Sequence, residues 1–175
     1  MTLTIGIFTL LILFLLGAFF SAAETVVTAL NSIDISSLKE LQEVQGKKIE
    51  RLLLQKERLI ASLLIGNNIA NISASAIVAI LTNRYLGGFF VFMGTFLLTL
   101  FIVFFCEIVP KQFAIIYKKE ISFYIFRFIL FFYNLFSPVL NVTMWLASKM
   151  PLLGKKTEGE NWEKSLQHLL ALAYE

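Results

Sequence analysis

Three long apolar blocks dominate this chain, at residues 3–29, 63–83 and 89–109. Each is long enough, as a helix of about 20 residues, to cross the hydrocarbon core of a bilayer. Backbone placed there has no water to satisfy its N–H and C=O groups, so such blocks fold as helices. Composition agrees: of 175 residues 58% are hydrophobic and only 15% charged, and mean hydropathy is +0.78, whereas soluble domains carry about a quarter charged residues. Eighteen Phe with nine Gly and three Pro exclude disorder and collagen-like structure. The sequence predicts an all-α integral membrane protein: three transmembrane helices plus amphipathic, juxtamembrane helices on the cytoplasmic side.

Several functions are excluded early. One cysteine, Cys106, gives no intramolecular disulfide, and no Cys/His cluster is present to hold zinc. His168 is the only histidine and lies in the polar tail, so no His-dependent triad is available inside the spans. No enzyme is expected. The first 38 residues contain no Lys or Arg. Lys39, Lys47, Lys48, Arg51, Lys56 and Arg58 follow the first span, Arg84 alone lies between the second and third, and Lys111, Lys118 and Lys119 follow the third. Basic residues beside apolar spans set orientation and do not signal a nucleic-acid partner. They place the N-terminus outside and the 30–62 loop and C-terminal half in the cytoplasm of a multi-pass plasma-membrane protein. The N-terminal block has no basic n-region and is too long for a cleaved signal, so it reads as a permanent span.

Between the spans, residues 30–62 offer the capping types Asn31, Ser32, Asp34 and Ser36, then two amphipathic helices broken near Gly46. Asn83, Arg84, Gly87 and Gly88 mark a short turn. Residues 121–147 have hydropathy enough for a fourth crossing. Against that, Arg127 interrupts them, Ser137-Pro138 breaks them, and Lys149, Lys155 and Lys156 would be carried outward. A Pro-broken pair of aromatic-rich helices at the inner interface is the preferred reading. The membrane domain is thus expected over 1–150, with 151–175 as a polar cytoplasmic tail opening a soluble segment.

The polar residues inside the spans are the most informative. On the first, Gly17, Ser21, Glu24, Thr25 and Thr28 recur at helical spacing. On the second, Asn67 and Asn71 are four apart, with Asn68 beside them and Ser75 continuing the stripe. On the third, Glu107 lies one turn before Lys111, with Pro110 between. Chain direction brings all three clusters to one depth, toward the cytoplasmic leaflet. An ionisable group in lipid costs roughly 2.5–3.5 kcal/mol even on insertion scales, so it faces protein or water. Pro110 removes an N–H and disturbs the turn holding the Cys106 carbonyl, freeing backbone oxygens toward a cavity. Carboxylate, hydroxyl, amide and backbone oxygens suit a hard cation (Mg²⁺, Na⁺ or Ca²⁺) and not zinc or copper. Each residue also has a plainer role. Ser and Thr serve helix packing, Glu107 with Lys111 makes an i,i+4 pair, Asn67 caps a helix, Glu24 snorkels, and Cys106 fills apolar space.

These residues resemble the CorC/CNNM (cyclin M) membrane domain. The resemblance is carried by Phe20-Ser21-Ala22-Ala23-Glu24-Thr25 with Thr28-Ala29-Leu30-Asn31, by Leu64-Ile65-Gly66-Asn67-Asn68-Ile69-Ala70-Asn71-Ile72, and by Glu107-Ile108-Val109-Pro110-Lys111. It implies a homodimeric three-span domain associated with Mg²⁺ export, driven by inward Na⁺. It also implies Ser21, Asn67, Asn68, Asn71 and Glu107 as ligands. Glu24 and Thr25 would then serve the ion or Na⁺ coupling, with Thr28, Ser75, Pro110 and Lys111 as further second-ion or supporting groups. Gly66, Ala70 and Ala74 give a small-residue hint of helix dimerisation. The ATP-binding CBS region of the family does not lie within these residues, so ATP-linked regulation is not expected of this chain. A non-transporting cation sensor or anchor for a cytoplasmic partner is the alternative.

Overall fold

A computed structural model of the chain describes residues 2–149; the expected boundary at 150 and the tail at 151–175 lie outside the described residues. Every element among them is helical: α1 (Leu3–Ala29), α2 (Ser32–Leu41), α3 (Glu43–Leu53), α4 (Lys56–Tyr85), a 3₁₀ turn (Gly88–Phe90), α5 (Val91–Phe101), a π-helical segment (Ile102–Ile108), α6 (Val109–Ile116) and α7 (Lys118–Ser148). Residues up to Leu140 pack as one body, and the account below concerns that body. The unit that begins at Asn141 holds, in its described part, the end of α7, with the Lys149 ammonium 6.0 Å from the Trp145 ring centroid.

Four rods are long and apolar enough to cross a membrane: Leu3–Ala29, Lys56–Tyr85, Gly88–Ile116 and Lys118–Val142. The first has the expected bounds. The second and third extend beyond theirs. The third stays one rod through α5, the π-helical segment and α6, and does not end near residue 109. Gly87, at φ +90°, makes the turn between the second and third rods, a conformation that a Cβ would strain.

The fourth rod corrects the expected Pro-broken pair: α7 is a single helix running through Pro138. Proline removes one hydrogen bond from a 31-residue ladder. The half-buried Phe132 and Phe136 before it and the buried Leu140 after it hold the helix on both sides. α7 is also tied along its length to the connection between α1 and α4. Lys118 Nζ donates to Asp34 Oδ2 at 2.5 Å, and Tyr133 Oη donates to Gln55 Oε1 at 2.7 Å. Those two anchors are about 22 Å apart along a helix rising 1.5 Å per residue.

Within that connection, Asn31 caps α2 in a reciprocal box: its Oδ1 accepts from Asp34 N at 2.8 Å, while Asp34 Oδ2 accepts from Asn31 N at 3.2 Å. The α2–α3 break falls at Gln42 instead of near Gly46. Gly46 lies inside α3, where a Cβ would come 2.7 Å from the Lys39 backbone, so it serves a close crossing of α2 and does not end a helix.

The main core joins α1, α2, α3, α4, α6 and α7 around Phe20, Val26, Val27, Leu38, Leu59 and Ile129. Gly66, Ala70 and Ala74 are buried within the chain, which corrects their reading as a dimerisation stripe. The Phe20 ring fills the space above Gly66, where a Cβ would stand 2.4 Å from its Cζ, and Phe20 is itself wedged edge-on against Phe132 at 4.7 Å between centroids. A rigid ring held on two sides has nowhere to go. Gly66→Leu is therefore expected to destabilise the fold by about 1–3 kcal/mol through overpacking. A lowered melting midpoint in detergent, partly restored by adding Phe20→Ala, checks this.

Asp34 is buried and meets two cations, Lys118 at 2.5 Å and Lys119 at 3.4 Å. The Lys118 hydrogen bond outweighs burial, helped by the Asn31 amide, and holds this carboxyl below its ordinary value of 3.8. A lowered folded pKa means stability that is fully present above the unfolded value and lost as pH falls through the folded one. The melting midpoint should thus be insensitive to this group from pH 7 to about 5 and fall below about 4. Asp34→Asn should lower it at neutral pH, by about 1.5–3 kcal/mol for a charged hydrogen bond, and flatten the acid limb.

Candidate metal centre

α1, α4 and the third rod bring three polar clusters together. Ser21, fully buried on α1, donates its hydroxyl to the backbone carbonyl of Glu107 at 3.2 Å. From α4, Asn71 Nδ2 donates to Glu107 Oε1 at 3.3 Å and, at the longer 3.5 Å, to Asn67 Oδ1. Gly17, one turn before Ser21, makes room: a Cβ there would stand 3.3 Å from Asn71 Oδ1, 3.8 Å from Asn67 Oδ1 and 3.7 Å from the Cys106 Cβ. A hydroxyl, two amides and one carboxylate thus converge on a glycine-lined backbone.

The carbonyl that Ser21 reaches belongs to the π-helical segment. Pro110 has no N–H to give the Cys106 carbonyl, and its ring crowds that oxygen. The chain answers with a wider turn over Ile102–Ile108, closed by Val109 N–H donating to the Phe104 carbonyl five residues back. The helix is widened, not broken, and the Glu107 carbonyl is the one reached by Ser21. Cys106 is buried at 3% exposure among Ala74, Leu98 and Ile102.

The other expected residues divide. Thr25 Oγ1 donates to the Ser21 carbonyl at 3.0 Å, and Ser75 Oγ to the Asn71 carbonyl at 3.0 Å, each bracing the helix beside a central residue. Thr28 is exposed and donates to the Glu24 and Thr25 carbonyls. Lys111 reaches Glu24 Oε2 at 3.7 Å and not Glu107, so its pairing is between helices and the expected i,i+4 pair is not formed. Glu107 lies in the widened turn, where α-helical counting from Lys111 does not place it. Asn68 stands exposed on another face of α4 and is not brought to Asn67, Asn71 and Glu107.

Among the described residues no three His, Cys, Asp or Glu side chains cluster. A metal ion held here would rest on one carboxylate with amide, hydroxyl and carbonyl oxygens, a donor set for a hard cation. Sequence reading missed Gly17 as the residue that opens the site, although its place on the Ser21 face was a signal. It also missed Lys118 and Lys119 as partners of Asp34.

Residues 7–175 match the family described as the cyclin M transmembrane N-terminal domain. The chain belongs to that family. It is 32% identical over 167 residues to a UPF0053 protein of Haemophilus influenzae, covering 95% of this chain and 40% of that one. It is 34% identical over 108 residues to the UPF0053 inner membrane protein YfjD of Escherichia coli, covering 62% and 25%. A chloroplastic DUF21 domain-containing protein of Arabidopsis thaliana is 30% identical over 146 residues, covering 83% and 22%. The chain thus spans well under half the length of these relatives. Family and apolar rods together make it a multi-pass membrane protein.

Because Asn71 touches Glu107 and Asn68 does not, the two amides make a discriminating pair. If the cluster holds a divalent cation, Asn71→Ala should weaken its binding about tenfold or more, through loss of an amide oxygen and misplacement of the carboxylate. Asn68→Ala should change it less than twofold. Calorimetric titration of the two variants in detergent reads the difference.

Proposed function

We propose that this chain is the membrane domain of a Mg²⁺ transporter, working as a Na⁺-coupled exporter. Its cation site is built by Ser21, Asn67, Asn71 and Glu107. The observation that carries this reading is that oxygen-bearing groups from three separate rods meet at Glu107. Mg²⁺ gives up its water reluctantly and demands hard oxygen ligands with at least some negative charge. Glu107 supplies the charge, and the amides supply neutral oxygens. The asparagine amide suits a site that fills and empties. A half-turn of its terminal group exchanges the N–H₂ that donates to Glu107 for an oxygen facing a cation.

Glu24 and Lys111, on the same two helices a turn further on, form the proposed locus of Na⁺ coupling: an ion entering there competes with the Lys111 ammonium for the Glu24 carboxylate. The proposed topology has three crossings, with α7 lying along the cytoplasmic interface. Its support is that Lys118 and Tyr133 both anchor to the α1–α4 connection, which a helix running straight across the bilayer would leave behind. The many Lys and Arg of that connection support a cytoplasmic position for it and for the C-terminal half. A homodimer completes the proposal. Its interface lies elsewhere than on the buried Gly66 stripe, and the exposed apolar side chains Leu3, Ile7, Leu11 and Leu15 on the first half of α1 offer one surface for it.

The test is ion flux in proteoliposomes of the purified chain. Mg²⁺ movement that requires an opposing Na⁺ gradient, and falls at least about tenfold in Glu107→Gln, is the expected result, since that change keeps shape and removes one charge from the ligand set. Ser21→Ala should cost less. Saturable Mg²⁺ binding with no flux under any gradient would overturn transport and reassign the site to a sensor.

A further inference from the structure

Arg127 lies in the apolar helix α7, and the cation site makes no use of it. It lines two neighbouring hollows. One, of about 820 Å³, lies between α3 and α7, with Gln42, Gln45 and Lys48 on one wall and Phe123, Tyr124 and Arg127 on the other. The second, of about 590 Å³, lies between α1 and α7 and is otherwise apolar, walled by Leu16, Phe19, Phe128, Phe131 and Phe132.

The charge around the first hollow has one sign. Among the described residues, Lys48 and Arg127 are the only charged ones lining it, and neither makes an ion pair there. Their neighbours are neutralised: Lys47 pairs with Glu43 and Lys39 with Glu50, each at 2.5 Å. A guanidinium beside phenylalanines, and free of any carboxylate, favours an anion of matching shape; phosphate takes two of its N–H groups at once. Basic pockets between membrane helices on the cytoplasmic side take anionic lipid head groups for this reason.

We propose that this paired hollow binds one anionic phospholipid. The phosphate and polar head lie between Lys48 and Arg127, and an acyl chain lies in the Phe19–Phe132 hollow. The shared Arg127 decides between sources of the same phosphate chemistry. A free phosphate would leave the apolar hollow unused, whereas an amphiphile with its charge next to its chain fills both. Lipid bound there would bridge α1, α3 and α7 and so brace the juxtamembrane layer against the bundle.

Native mass spectrometry of the chain in detergent tests this, with phosphatidylglycerol, phosphatidylcholine of the same chains, and inorganic phosphate as probes. Phosphatidylglycerol should be retained about tenfold or more over phosphatidylcholine. Arg127→Gln and Lys48→Gln should each reduce that preference about fivefold, the effect of one basic residue at a lipid surface. Lys47→Gln, on the same helix but paired with Glu43, should leave it unchanged. Equal retention of the two lipids overturns the proposal. So does displacement of phosphatidylglycerol by millimolar phosphate, which would make this a bare anion site. Lipid preference found in dimers and lost in monomers would also overturn it, assigning the hollow to a second copy. Glu107→Gln should keep the preference, so failure of the transport reading leaves this result legible on its own.

Discussion

A polar atom at membrane depth must find its partner inside the protein, and Glu107 meets that requirement twice over. Its carbonyl takes the Ser21 hydroxyl and its carboxylate takes the Asn71 amide, so one residue fastens α1, α4 and the third rod. Lipid provides no hydrophobic drive to hold helices together, so packing and such hydrogen bonds must do it. The close contacts elsewhere serve that junction. Gly17 lets the two amide oxygens approach the α1 backbone, and Gly66 lets the Phe20 ring lie against α4. The π-helical segment leaves the Glu107 carbonyl where Ser21 can reach it.

α1 is common to the junction and to the juxtamembrane layer. At its end the Thr28 and Ala29 carbonyls accept from Lys56 and Lys118, both at 3.0 Å, which gives orphan C-terminal carbonyls cationic partners. Lys118 also holds Asp34, so the cap of α2, the end of α1 and the start of α7 meet at one ammonium. The Ser21–Glu107 contact and this second cluster thus share α1, about 12 Å apart along a helix rising 1.5 Å per residue.

That the three polar clusters meet was legible in the sequence, because chain direction fixes how far along its rod each polar residue falls. The hydroxyl, amide and carboxylate character of those groups was legible too, since residue type alone supplies it. Partner choice was not. Helical spacing made Glu107 and Lys111 neighbours, but the widened turn and the nearness of α1 gave Lys111 to Glu24. Asn67, Asn68 and Asn71 read as one group, yet Asn71 reaches Glu107 and Asn67, while Asn68 stands exposed on another face of α4.

By itself, then, the sequence determined that the chain is helical, the bounds of the first rod, the capping at Asn31 and the shared level of the polar clusters, all consequences of local hydrogen bonding and of transfer from water to lipid. The tertiary structure alone decided that Gly66 faces Phe20 within the chain, that α7 runs unbroken through Pro138 against the α1–α4 connection, and that Asp34 pairs with Lys118. Those outcomes depend on the fit of side chains more than 40 residues apart in sequence, or, at Pro138, on packing that outweighs one missing hydrogen bond. Periodicity defines a face of a helix, but only the packed neighbours define what that face meets.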